Sequence, residues 1–94
     1  MSGAPKKIVR EYKILNKLGL HARPASLFVK TASGFSSDIT ISKDGNVSDG
    51  KSIIGLMMLA AEQGASLSVT AHGEDAAEAL DALGKLITNK FGEE

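Results

Sequence analysis

His21, Arg23 and Pro24 stand together in the run Gly19-Leu20-His21-Ala22-Arg23-Pro24-Ala25, and their types and spacing suit anion chemistry. Proline is tolerated in a first helical turn, where its missing N–H has no partner to lose. Ala22, Ala25, Phe28/Val29 and Ala32 follow at helical spacing. His21 therefore falls at a helix N-terminus, where unpaired backbone N–H groups and the positive end of the helix dipole attract a phosphate-like group. The same dipole disfavours an imidazolium and so favours a neutral, nucleophilic ring. Arg23, one step inside the helix, can aim a planar guanidinium at the same anion. Without further context the three residues equally describe an ordinary helix start, with His21 as N-cap and Arg23 as a solvated cation.

The elements that must position these residues can be read from periodicity. Ile8 to Leu15 suits a strand, and Gly34 ends the helix that begins after His21. Asp38-Ile39-Thr40-Ile41-Ser42 alternates at period two, Asp44-Gly45 is a hairpin turn signal, and Asn46-Val47-Ser48 is the returning strand. Ser52 can cap a short helix running to Leu59, and Gln63-Gly64 closes that segment. Leu67, Val69 and Ala71 then alternate with Ser68 and Thr70 as a further strand. Asp75 with Glu78 resembles a capping box, and Ala76, Leu80, Leu83 and Ile87 form the buried stripe of a last helix that is expected to end near Gly92. The order β-α-β-β-α-β-α predicts an α+β open-faced β-sandwich, a four-stranded antiparallel sheet with three helices packed on one face. Residues 1–7 are expected to be a short mobile lead, leaving 8–94 as one domain.

Composition narrows the function. Ninety-four residues at 9.8 kDa suit one core, and 43% apolar with 23% charged residues is a globular balance. Absence of cysteine excludes disulfides, thiolate nucleophiles, zinc ribbons and iron–sulfur clusters. With no Trp and only Tyr12, Phe28, Phe35 and Phe91 as aromatics, a base-stacking nucleic-acid platform is not expected. The N-terminal residues lack a signal-peptide core, and Ile53 to Ala61 is too short to span a bilayer, so a cytoplasmic protein without membrane insertion is expected. Residues 1–30 carry seven of the eleven basic side chains and one acidic one. That asymmetry, without a basic run longer than two, suits docking onto an acidic protein surface.

The Gly19 to Ala25 run resembles the active-site motif of the histidine-containing phosphocarrier (HPr) family of the bacterial phosphoenolpyruvate-dependent sugar phosphotransferase system. Lys51-Ser52-Ile53-Ile54-Gly55-Leu56-Met57-Met58-Leu59 resembles the family's second signature, around its regulatory serine. The resemblance covers about residues 8–90 and implies the same element order. It makes His21 the phosphoryl acceptor, at Nδ1, with Arg23 as anion partner and Pro24 in the same turn. The donor it implies is phosphorylated enzyme I and the recipient a histidine of enzyme IIA, with no cofactor or metal and a monomeric carrier that is not an enzyme. Ser52 matches the serine phosphorylated in many members by a dedicated HPr kinase/phosphorylase. Leu20, Ile54 and Met57 match an apolar docking patch beside the histidine, with Lys30 and Lys51 on its basic rim, while Leu56 and Leu59 are expected in the core. Leu18 departs from the family, which often has Asn or Ser there.

Two other readings compete. A nitrogen-related branch of the same family uses the same histidine for regulatory partners. A small nucleotide-binding module is suggested by Gly45-Asn46-Val47-Ser48-Asp49-Gly50-Lys51-Ser52, which fits the pattern G-x-x-x-x-G-K-S; a phosphate-binding loop, however, needs a buried parallel strand before it. Asn46-Val47-Ser48 is a glycosylation sequon without a secretory signal, and His72, at a strand end, is expected to be an ordinary surface histidine.

Overall fold

A four-stranded antiparallel sheet forms the floor of the molecule, in the order β1-β4-β2-β3. The strands are β1 (Lys6–Lys13), β2 (Asp38–Lys43), β3 (Asn46–Asp49) and β4 (Ser66–Gly73). Three helices, α1 (Ala22–Ser33), α2 (Ile53–Met58) and α3 (Ala76–Thr88), connect and cover them, and a tight turn at Lys90–Gly92 follows α3. The computed structural model describes residues 6–93. The fold class is the open-faced sandwich expected from periodicity.

Alternation drives the sheet's burial. In β4 the side chains of Leu67, Val69 and Ala71 are buried while Ser66 and His72 are exposed, and in β2 Ile39 and Ile41 are buried between exposed Asp38 and Thr40. One face is thus apolar and must be covered; the other is a solvated surface mostly of Ser, Thr and charged residues, with Val9 and Val47 exposed among them. α3 lies across β1 and β4, α1 packs beside α3, and α2 bridges from α1 to β3. Phe28 from α1, Leu56 from α2 and Leu80, Leu83 and Ile87 from α3 are fully buried in one cluster with the sheet's Ile, Leu and Val side chains. At α1 the buried stripe is Pro24, Ala25, Phe28 and Ala32; Ala22, expected on that stripe, is exposed at the first position of the helix.

Three boundaries depart from the expectation. β1 begins at Lys6, so Lys6 and Lys7 are not part of a lead but pair with Gly73 and His72 of β4. Residues 1–5 lie outside the described residues. The capping box at α3 does not form: Asp75 makes no side-chain cap bond. Its carboxylate instead accepts from the backbone N–H groups of Ser36 at 2.8 Å and Ser37 at 3.0 Å, and from both hydroxyls. Four donors converging from the α1–β2 connection satisfy the carboxylate better than the helix's own N–H groups would, and they tie that connection to the start of α3. The Ser37 hydroxyl above all, then the Ser36 N–H, pulls the Asp75 carboxyl down from 3.8 to about 2.

The third departure is the end of α3, which stops at Thr88 rather than running on to Gly92. Lys90 and Phe91 both take left-handed backbone conformations, with φ of 57° and 53°. Two successive non-glycine residues there cost about 1–2 kcal/mol each. Burial of the Phe91 ring, only 3% exposed, offsets that cost and turns the chain back over the core toward the start of α1. The Asp44-Gly45 turn behaves as its sequence predicts, both residues having positive φ as a two-residue hairpin of this hand requires.

Candidate functional site

His21 is the N-cap of α1, with extended backbone (φ −82°, ψ −169°) and a side chain that makes no capping bond. Among the described residues the N–H groups of Ala22 and Arg23 have no partner, Pro24 has none to offer, and the first intrahelical bond is Ala25 N–H to the His21 carbonyl at 2.9 Å. No acidic residue stands in that first turn to neutralise the dipole. Arg23 is exposed and forms no ion pair among the described residues. A histidine, two vacant N–H groups and an uncommitted guanidinium on one helix end make a seat for an anion on the imidazole.

The loop ahead of His21 is built to hold it there. Gly19 has φ +71°, and a Cβ on it would lie 2.3 Å from the Ala61 carbonyl oxygen, so only glycine fits. The next residue, Leu20, donates its N–H to that same carbonyl at 2.9 Å. Buried Asn16 closes the loop from inside, its Nδ2 donating to the Gly19 carbonyl at 2.8 Å. On the ring's other side Nε2 lies 3.0 Å from Oε2 and 3.2 Å from Oε1 of Glu93, delivered by the left-handed turn at Lys90-Phe91. The His21 side chain is 35% exposed, half-open to a large partner, and Nδ1 has no hydrogen-bond partner among the described residues.

Beside the ring runs a shallow groove of about 400 Å³, lined by Leu18, Leu20, Met57, Ala60, Ala61 and Glu62. Leu18, Ile54 and Met58 are more than 70% exposed, and Met57 is partly so. Leu20, expected in the exposed patch, is 4% exposed and belongs to the core, because its backbone is drawn down onto Ala61; it forms the floor of the groove rather than its rim. Leu56 and Leu59 are buried as expected. Of the two rim lysines, Lys30 is exposed in the last turn of α1, about 12 Å along the helix axis from Ala22 and so at the far end from His21. Lys51 is half-buried and its Nζ donates to the Phe35 carbonyl at 2.9 Å, which ties the α2 entry to the α1–β2 connection.

Ser52 is the N-cap of α2, its Oγ accepting from Gly55 N–H at 3.0 Å. The stretch Gly45 to Ser52 starts in the hairpin turn and passes through β3, an antiparallel edge strand, before reaching α2. It thus lacks the parallel strand on which a phosphate-binding loop is built. His72 is exposed at the end of β4, and no group of three metal-ligating side chains exists among the described residues.

The family model described as the phosphorylation site of the PTS HPr component matches residues 8–89. The chain belongs to the HPr family. The phosphocarrier protein HPr of Neisseria meningitidis (Z2491) is 49% identical over 81 residues, 86% of this chain and 91% of its own. HPr-C-His from Thermoanaerobacter tengcongensis superposes with a TM-score of 0.86 at 50% identity, covering 95% of this chain and 98% of that one. A dimeric HPr crystal structure from the same organism superposes at 0.75 with 52% identity, covering 87% and 94%. HPr proteins are phosphocarriers of the phosphotransferase system, and no helix among the described residues is long and apolar enough to cross a membrane.

Asn16 and Glu93 are the site residues that sequence reasoning misses. They lie 77 positions apart, and nothing in their spacing places them around His21. Asn16 carries the only local hint, a polar side chain next to Ile14 and Leu15 where the strand pattern ends.

Proposed function

We propose that the chain accepts a phosphoryl group from phospho-enzyme I on Nδ1 of His21 and passes it to a histidine of enzyme IIA. The observation that carries this reading is the half-exposed His21 ring at the bare N-terminus of α1, with the uncommitted Arg23 beside it. The incoming phosphorus needs in-line alignment of two imidazoles and neutralisation of its oxygens; vacant N–H groups and a guanidinium supply the second, and an accessible ring permits the first. Pro24, buried against the core, fixes the turn that aims them. The groove and the exposed Leu18, Ile54 and Met57 provide an apolar surface on which both partners dock in turn. The carrier works as a monomeric single domain in the cytoplasm, without cofactor, and sugar selection lies with its partners.

Ser52 is the proposed regulatory site, modified by an HPr kinase/phosphorylase. A phosphate there places about two negative charges at the edge of the docking surface and repels acidic partners. The test of the carrier function is incubation with enzyme I, Mg²⁺ and phosphoenolpyruvate, read by intact mass, with His21→Ala in parallel. One acid-labile phosphate on the wild type and none on the variant is the expected result. No phosphate on the wild type, with an enzyme I active on another carrier, would reject the assignment.

A further inference from the structure

The ring of His21 is not held by its own helix but by a relay from the opposite end of the chain. Nε2 faces both carboxylate oxygens of Glu93, at 3.0 and 3.2 Å. Glu93 Oε1 also accepts from Asn16 Nδ2 at 3.0 Å, and Asn16 is fully buried. The Asn16 amide is committed to this orientation, since turning it over would set its oxygen against the Gly19 carbonyl and the carboxylate. Its Oδ1 is left without a partner among the described residues, a cost the fold bears to keep both Nδ2 bonds. The Lys90-Phe91 turn that delivers Glu93 is itself strained, and strain persists where the surroundings over-determine a geometry. Glu93 is only 15% exposed at its side chain, so its position is defined rather than that of a waving surface acid.

We infer that Glu93, anchored by Asn16, is a positioning residue that dictates which His21 nitrogen is nucleophilic. A bare lone pair on Nε2 facing a carboxylate would be repelled; a proton there is bound by it. The neutral ring is thereby fixed as the Nε2–H tautomer, and the remaining lone pair sits on Nδ1. In the transfer step the Nδ1 lone pair attacks phosphorus, the new N–P bond forms as the donor imidazole's N–P bond breaks, and the donor ring leaves with its electron pair. The Nε2 proton stays where it is, so the acceptor ring gains the positive charge the donor ring loses, and no proton has to move. Glu93 lies against the nitrogen that shares this charge and stabilises it as it develops. The inference rests on the carrier reading for its chemistry and on the Glu93 contact for its geometry.

Two substitutions separate the contributions. Glu93→Ala removes both acceptor and charge, whereas Glu93→Gln keeps an acceptor oxygen for Nε2–H and loses only the charge. In ¹⁵N-labelled protein above the histidine titration range, two-bond ¹⁵N–¹H correlation reads the His21 tautomer directly. The wild type and Glu93→Gln should show the Nε2–H form, and Glu93→Ala a mixture. The maximal rate of phosphoryl acceptance from phospho-enzyme I should fall about ten-fold in Glu93→Ala and about three-fold in Glu93→Gln, with KM for the carrier unchanged. A wild-type tautomer ratio in Glu93→Ala, or a wild-type rate despite an altered ratio, would overturn the inference. The tautomer readout needs no partner, so a wild type that takes no phosphate refutes the carrier reading while this assignment is still decided by the spectrum.

Discussion

Replacing Arg23 with methionine keeps most of the side chain's length and removes its guanidinium. Arg23 is exposed in the first turn of α1 and makes no ion pair among the described residues, so the folded state loses no partner. Stability should stay within about 0.5 kcal/mol of the wild type, the usual range for a surface substitution of this kind. Transfer is a different matter, because on the proposed carrier reading a phosphoryl group on His21 would lose its one cationic side-chain partner in the first turn of α1. A hydrogen bond to a charged group contributes about 1.5–3 kcal/mol, and solvent exposure places this one at the low end. A loss of about 1.5–2 kcal/mol from the transition state slows phosphoryl acceptance about 10- to 30-fold. Arg23→Lys, which restores charge without the planar fork, should fall between. The assay is rapid-quench single turnover from labelled phospho-enzyme I, run beside a thermal melt of each variant. Equal rates for Arg23→Met and wild type would remove the guanidinium from the mechanism. A large drop in Tm alongside the slower rate would show instead that Arg23 supports the fold.

Ser52→Asp keeps an oxygen able to cap α2 and adds one charge, so phosphorylation of His21 by enzyme I should slow about three-fold or more with Tm little changed; an unchanged rate would contradict charge repulsion as the regulatory principle. Gly19→Ala must force a Cβ to 2.3 Å from the Ala61 carbonyl at a φ of +71°, and urea denaturation should show a loss of about 2–3 kcal/mol. A variant as stable as the wild type would mean the loop before His21 yields easily. Asp75 is held at about 2 in the folded state against 3.8 when free, so its contribution is complete at neutral pH and disappears as pH falls through that interval. Asp75→Asn should therefore melt below the wild type at pH 7, with the gap closing between pH 4 and 2; a gap independent of pH would disprove the Ser36–Ser37 clamp as its origin.

What the sequence reveals here is what is decided locally. His21, Arg23 and Pro24 are legible because helix starts follow short-range rules, and the Asp44-Gly45 hairpin because φ > 0 at two successive positions demands such residues. The sheet and its covered face follow from alternation alone. Asp75 misleads because a capping-box pattern is also local, whereas its carboxylate is claimed by serines 38 and 39 positions away. The end of α3 is hidden for the same reason: Lys90 and Phe91 favour continued helix, and only burial of the Phe91 ring against the assembled core makes the left-handed turn worthwhile. Asn16 and Glu93 meet around His21 solely through that turn. Lys51 likewise reads as a free cation until the Phe35 carbonyl is seen to hold it.

The sheet order leaves β1 and β3 on the outside, and β1 bonds to β4 along one side only. A long outer strand of this kind is a template on which another chain can lay a strand, the first step toward aggregation. Four of the eight β1 residues, Lys6, Lys7, Arg10 and Lys13, are basic. Arg10 turns inward to Asp81 at 2.6 Å, but the three lysines are exposed along the strand. Two such edges repel each other before their backbones can pair. Three of the seven basic residues gathered in residues 1–30 thus line an outer strand edge, where their charge disfavours the pairing of one copy's edge with another's.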